Sequence, residues 1–402
     1  MEVLEFKTSQ DVIDYLSKEA HNESFIALLK ESLKTAKATA QKNLDKALFN
    51  ALDWPLDLTS YIEFLVEFSM WTPQQSDLPA WKKPGTGNSQ EVYDRLCHFY
   101  FLIDQKVGSN KTTIVQDIPW FSQFLVDYAK LWGSFLNTTA SFNEKILQSF
   151  IKNSPQYRIQ DSMINGKPNN PSGWLTFNQF FARELNPGLR PIAHPMNNKV
   201  VTSPADCTFR KKYQIDSDSN IPEIVIKQTH TVANIAELLK GSKYANDFAD
   251  GLFVHYFLGP YSYHRFHTPV SGTIKECYPV KGLVSLDVNL DTMQFDAPDN
   301  SEDGYEFIQA RGIITIDTTN SPYGNMGIVA VIPIGMCQVS SVNMIAQAGS
   351  KTLKGDEFGY FLFGGSDIIL LFQKDHIPII DECSNYRHYG TSISQCPPKV
   401  NH

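Results

Sequence analysis

Nowhere does this 402-residue chain approach the roughly 20 consecutive apolar residues that a membrane-spanning helix requires, so no spanning helix is expected. An excess of basic residues is missing too. Its 35 Lys and Arg stand against 43 Asp and Glu, a net charge of −8, which disfavours nucleic acid as a partner and gives no general attraction to anionic membranes. The six cysteines, Cys97, Cys207, Cys277, Cys337, Cys383 and Cys396, contain no C-x-x-C pair; this speaks against a zinc site or a disulfide framework and for a reducing compartment. Cys207 reads as a buried apolar cysteine in preference to a catalytic thiol. The N-terminal MEVLEFKTSQD lacks a cationic start followed by an apolar core, so neither a secretory signal nor a transit peptide is expected. The expected location is cytoplasmic, at most peripheral to a membrane.

What is present divides in two. Phe25, Leu28, Leu29, Leu33 and Ala36 repeat at helical spacing, as do Val92, Leu96, Phe99, Tyr100 and Ile103, and the aromatic-rich run from Trp120 to Trp132. Ser60 with Glu63 and Ser141 with Glu144 have the spacing of capping boxes. Residues 153–173 are rich in Asn, Ser, Pro and Gly, as a connection between domains would be. Beyond it, Thr176 with Gln179 predicts the start of a short helix, and then strand-like runs dominate: Ile224–Ile226, Leu252–Leu258, Gly327–Ile334 and a pair around Ser366. The expected class is α+β: a helical domain over 1–152, a linker over 153–173, and a β-rich domain over 174–402 with barrel-like sandwich hairpins turning at Pro204 and Pro269.

The most unusual stretch is FGYFLFGGSDIILLF, Phe358 to Phe372, which reads as two apolar strands joined through Gly364, Gly365 and Ser366. Taken alone, it is an ordinary tight hairpin. A serine hydroxyl beside its own preceding carbonyl can also attack it, given a base and a donor for the oxyanion. The YHRFH run, Tyr263 to His267, offers two candidate bases, and the SPAD run ending at Asp206 offers a carboxylate to orient one of them.

Four ordered motifs, FNQFFARELNPGLRPI (Phe177 to Ile192), SPAD, YHRFHTPVSG (Tyr263 to Gly272) and KGDEFGYFLFGGS (Lys354 to Ser366), resemble those of the phosphatidylserine decarboxylases, a pyruvoyl-dependent family that matures by serinolysis. The resemblance implies that the chain cuts itself between Gly365 and Ser366, that Ser366 becomes a covalent pyruvoyl group, that Asp206 and His267 complete the processing triad, and that His264 serves decarboxylation. It implies no external cofactor and no metal. The ketone would condense with a substrate amine and accept the electron pair left by carbon dioxide. His264 would return a proton to the alpha carbon, chosen because histidine titrates near neutral pH. Two positions depart from the family pattern: Asp367 replaces the usual threonine, and Ser262 the usual acidic residue.

The resemblance leaves the substrate open between phosphatidylserine, ranked narrowly first, and a free amino acid such as tryptophan. The second rests on the N-terminal helical extension, which looks like that of fungal tryptophan decarboxylases. A third reading is a binding-module paralogue that no longer cleaves. Expected partners are the two self-cleavage fragments bound to each other, a peripheral membrane contact and a second copy in a homodimer.

Overall fold

The computed structural model describes residues 6–227, 229–297, 301–337 and 341–394, and forms two compact units, Met1–Phe180 with Leu283–Pro298, and Phe181–Gly282 with Asp299–His402. The α+β class holds, with helices in the first unit and strands in the second. Residues 153–173 fall within the first unit, where Ser154 Oγ donates to the Ser89 carbonyl at 2.9 Å. Composition marks such a stretch as irregular but does not say whether it docks. A hairpin of Asn289–Asp291 with Gln294–Asp296 also belongs to this unit, tied down where the Val288 N–H donates to Asp104 at 2.8 Å.

The helices of the first unit include α1 (Ser9–Lys18), α2 (Glu23–Asn43), α3 (Lys46–Asn50), α4 (Leu58–Phe68), α5 (Glu91–Phe101), α6 (Pro119–Leu136) and α7 (Glu144–Asn153). Their apolar faces close over aromatics such as Phe68, Phe99, Tyr128 and Trp132, and bury each position singled out on α5. Two caps differ from expectation. Asp57, not Ser60, caps α4, and Ser60 is the third helical residue, completing a box with Asp57. Asn143, not Ser141, caps α7, accepting from the Ile146 N–H, while Ser141 Oγ accepts instead from the Phe177 N–H and donates toward the Leu136 and Thr138 carbonyls. Thr176 does accept from the Gln179 N–H at 3.2 Å, opening α8 (Phe177–Phe181).

In the second unit the strands are β1 (Cys207–Gln214), β2 (Asn220–Ile226), β3 (Thr231–Asn234), β4 (Leu252–Leu258), β5 (Arg265–His267), β6 (Gly272–Val280), β7 (Arg311–Asp317), β8 (Ile328–Met336), β9 (Val342–Met344), β10 (Lys351–Thr352), β11 (Glu357–Phe361), β12 (Gly365–Phe372) and β13 (Tyr386–Arg387). Eight of them form one antiparallel sheet in the order β10-β6-β7-β8-β12-β4-β1-β13, with open edges at β10 and β13, so the sheet is not a closed barrel. A second sheet, β9-β11-β5, carries Phe266, Phe358 and Phe361, which join the core on one face of the large sheet. The opposite face is covered by the β2-β3 pair and by the residues around Leu238, Phe248 and Phe307. Both faces are buried, which is why β8 and β12 read as unbroken apolar runs and not as alternating ones.

The expected hairpin at Ser366 is not one. β11 belongs to the small sheet and β12 to the large one, so Gly364 and its neighbours form a crossover between sheets. Gly364 takes φ 150°, a conformation that favours glycine, and two glycines are equally compatible with a turn or with a change of sheet. Ahead of the SPAD run, ladder pairing reduces to a single bridge at Thr202. The two proline turns meet: Thr202 N–H donates to the Pro269 carbonyl, and His267 N–H to that of Pro204.

Candidate active site

Ser366 lies at the second residue of β12, paired with Gly335 of β8 on one side and Leu258 of β4 on the other. Alternation along the strand sends its side chain to the same face as Ile368 and Leu370, where the core also contains Ala205, Phe266 and Phe361. Those are chain neighbours of Asp206, of His267 and of the glycine crossover. Ser366 is fully buried, and its Oγ has no hydrogen-bond partner among the described residues. Such an orphaned hydroxyl is unusual in a packed core and fits a group reserved for chemistry.

His267 ends β5, the edge strand of the small sheet. Its Nδ1 donates to the Gly355 carbonyl at 2.9 Å, leaving Nε2 with the lone pair, 3.4 Å from the Tyr263 hydroxyl. Burial, aided by the charges of Arg265 and Arg190, pushes its pKa down to about 4, although the Gly355 bond acts the other way. The ring is therefore neutral at pH 7 and in the form of a base. A flat stack against Tyr389, 3.6 Å between centroids and 4° between planes, fixes its plane.

Asp206 does not orient His267 directly. Its carboxylate takes a bidentate pair from Arg190, Nε to Oδ1 at 3.1 Å and Nη2 to Oδ2 at 2.6 Å, and a third bond from the Tyr389 N–H at 2.8 Å. A guanidinium with two parallel donors outcompetes a neutral imidazole for a buried carboxylate. Asp206 thus holds the backbone of Tyr389, whose ring lies on the His267 imidazole. Because both partners are buried, removing one strands the other's charge. Arg190→Ala, made in an uncleavable background, is expected to lose about 3–5 kcal/mol of stability, read from urea unfolding.

His264 sits one turn of chain earlier, wholly buried, with its ring 4.0 Å from that of Phe181; Phe363 packs edge-on to Phe181 and Phe361 edge-on to His264. Among the described residues neither ring nitrogen has a partner in hydrogen-bond geometry. Burial, then the Arg183 charge, pushes its pKa down to about 3, with the Ser262 backbone opposing. Titration near neutrality, the ground on which sequence singled out His264, does not apply to the buried ring. A neutral imidazole still has one N–H and one lone pair, so it can pass a proton between the two.

Asp367 faces away from Ser366. It is on the opposite face of β12, with Ile369 and Leu371, where the Tyr305 hydroxyl donates to it at 2.8 Å. The carboxylate therefore does not bear on an oxyanion on the Ser366 side. Three residues of this site were not assigned from sequence. Arg190 and Lys354 lay inside quoted motifs; Tyr389 lay outside all of them. Lys354 is buried and donates to the carbonyls of His194, Asn197 and Val200, which anchors the segment whose next residue, Gly355, fixes the tautomer of His267.

The family described as "Phosphatidylserine decarboxylase" matches residues 177–393. A phosphatidylserine decarboxylase proenzyme 2 of rice is 34% identical over 202 residues, covering 50% of this chain and 30% of the relative. The phosphatidylserine decarboxylase proenzyme of a Geobacillus strain is 31% identical over 60% of this chain and 88% of its own. Decarboxylase iboD of Amanita muscaria is 26% identical over 63% of this chain and 77% of its own. The chain thus spans less than a third of the rice relative's length. Among the described residues no helix is long and apolar enough to cross a membrane.

Proposed function

Because the chain belongs to the phosphatidylserine decarboxylase family, we propose that it is a self-processing decarboxylase that removes the alpha-carboxylate of an amine-bearing substrate. The observation that carries the reading is the buried, unpartnered Ser366 Oγ directly after the Gly365 carbonyl, in a unit where His267 is held neutral. His267 accepts the Ser366 hydroxyl proton, and Oγ attacks the Gly365 carbonyl carbon. The C–N bond breaks as the proton passes to the nitrogen, leaving an ester. Loss of the Cα proton of residue 366 to a base breaks its Cβ–Oγ bond, releasing the Gly365 carboxylate and leaving a dehydroalanine, and water then displaces ammonia from the imine tautomer to leave a pyruvoyl ketone. That ketone supplies an electron sink for decarboxylation.

The chain's own residues do the rest. His264 carries the proton that replaces the departing carboxylate. β12, hydrogen-bonded on both sides, keeps the small fragment from residue 366 onward attached to the large one. The first substrate reading is phosphatidylserine. The second, a free aromatic amino acid, is favoured by the rings of Phe181, Phe361 and Phe363 grouped about His264, which suit a flat apolar side chain.

Carbon dioxide trapped from mature protein given phosphatidylserine vesicles, or free tryptophan, tyrosine, phenylalanine or serine, separates the two. Release from vesicles is expected. Release from free tryptophan with none from vesicles would transfer the assignment to the second reading.

A further inference from the structure

Asp367, the residue immediately after the proposed cleavage site, is held by side chains from two other segments. Its Oδ2 accepts from the Tyr305 hydroxyl at 2.8 Å, and its Oδ1 lies 3.5 Å from His255 Nε2. The other nitrogen of His255 lies 3.6 Å from Glu306 Oε1, and the Tyr305 hydroxyl is also 3.4 Å from His255 Nε2. Asp367, His255 and Glu306 are all fully buried, among Ile369, Leu371 and Ile332 on the face of the sheet that Ser366 does not use. In the sheet, His255 pairs with Ile369, so Asp367 is its diagonal neighbour on that face.

An imidazole between two buried carboxylates is an expensive arrangement in an otherwise apolar layer, and its best-attested use is to fix one register. Before cleavage residue 366 is held by peptide bonds on both sides. Afterwards it is a chain end, and strand ends fray unless tied down. Residue 367 is then its one covalent tether. The first side chain able to stop that end from lifting is Asp367, and it is the one gripped from behind.

We propose that Tyr305, Asp367, His255 and Glu306 form a clamp that keeps residue 366 in place once the bond before it is cut. The proposal rests on the Gly365–Ser366 cleavage reading. These are positioning residues: they act through residue 366 and lie on the far side of the sheet from its side chain.

The test uses the full chain with Asp367→Ala, Asp367→Asn and Tyr305→Phe. Cleavage is followed by intact mass, and kcat and KM are measured on the substrate that the unmodified protein turns over, normalised to ketone content by a hydrazine probe. Cleaved Asp367→Ala is expected to lose about 10- to 100-fold in kcat, since misplacing a reacting group by about 1 Å costs on that order. Asp367→Asn, which can still accept from Tyr305, is expected to recover most of it, a rescue that a general loss of stability would not give. Cleaved Asp367→Ala with unchanged kcat per ketone overturns the clamp. Should Asp367→Ala not fold or cleave, Tyr305→Phe decides: reduced kcat supports the clamp, and unchanged kcat overturns it. Absence of cleavage in the unmodified protein overturns the cleavage reading instead, and is told apart by mass alone.

Discussion

Ser366→Ala protein is expected to remain a single full-length chain and to release no carbon dioxide from any substrate. The variant removes the nucleophile and with it the atom from which the ketone is made, so both losses should be complete. Packing should survive, because the Ser366 hydroxyl makes no hydrogen bond among the described residues and methyl is a smaller occupant of the same apolar face. Intact mass distinguishes one chain from two fragments meeting at Gly365 and residue 366. His267→Ala should give a graded version of this result. The serine keeps its place but loses the neutral imidazole whose Nε2 is left unprotonated by the Gly355 bond, and cleavage should slow by about 100-fold or more. A Ser366→Ala preparation that still appears as two fragments at this junction would remove the serine from the mechanism.

His264→Ala is expected to separate the two stages: it should still be cut, yet turn over at least about 100-fold more slowly per ketone. The proton proposed to come from His264 is required only after carbon dioxide has left, so cleavage would have no use for it. A loss of packing under Phe181 is the competing explanation, since the two rings lie 4.0 Å apart. His264→Gln, which fills much of the space and hydrogen-bonds but does not exchange protons readily, distinguishes them: it should stay slow. Normal turnover by cleaved His264→Ala would end the assignment.

The parts of this architecture that follow from local chemistry were legible in the sequence. Helical spacing placed the core faces of α2, α5 and α6, and continuous apolar runs placed β4, β8 and β12. The residues quoted at Asp206, His264, His267 and Ser366 all fall in one unit, with Ser366 on the face whose core holds the neighbours of Asp206 and His267. Pairing beyond the nearest strand was not legible. A double glycine between apolar strands permits a turn, and only the distant partners Gly335 and Leu258 make it a change of sheet. The opposed faces of Ser366 and Asp367 follow from alternation once residue 366 is known to be inside a strand, and not before. Arg190 escaped because triad logic gives the aspartate a histidine to orient, whereas in the fold the nearer cation takes the carboxylate. The capping boxes failed for a related reason: spacing identifies candidate oxygens, but Asp57 and Asn143 stood closer to the helix starts.

The position of β12 in the middle of its sheet imposes an order of events on the life of this protein. A segment with neighbours on both edges can be woven in only while the sheet assembles, and the fragment that begins at residue 366 could not later be slipped between β8 and β4 without prising them apart. On the proposed cleavage, assembly has to be finished before the cut is made, and the cut is then permanent for that molecule. Under that proposal each copy has a single opportunity to mature, and damage at residue 366 could not be repaired by exchanging the small fragment.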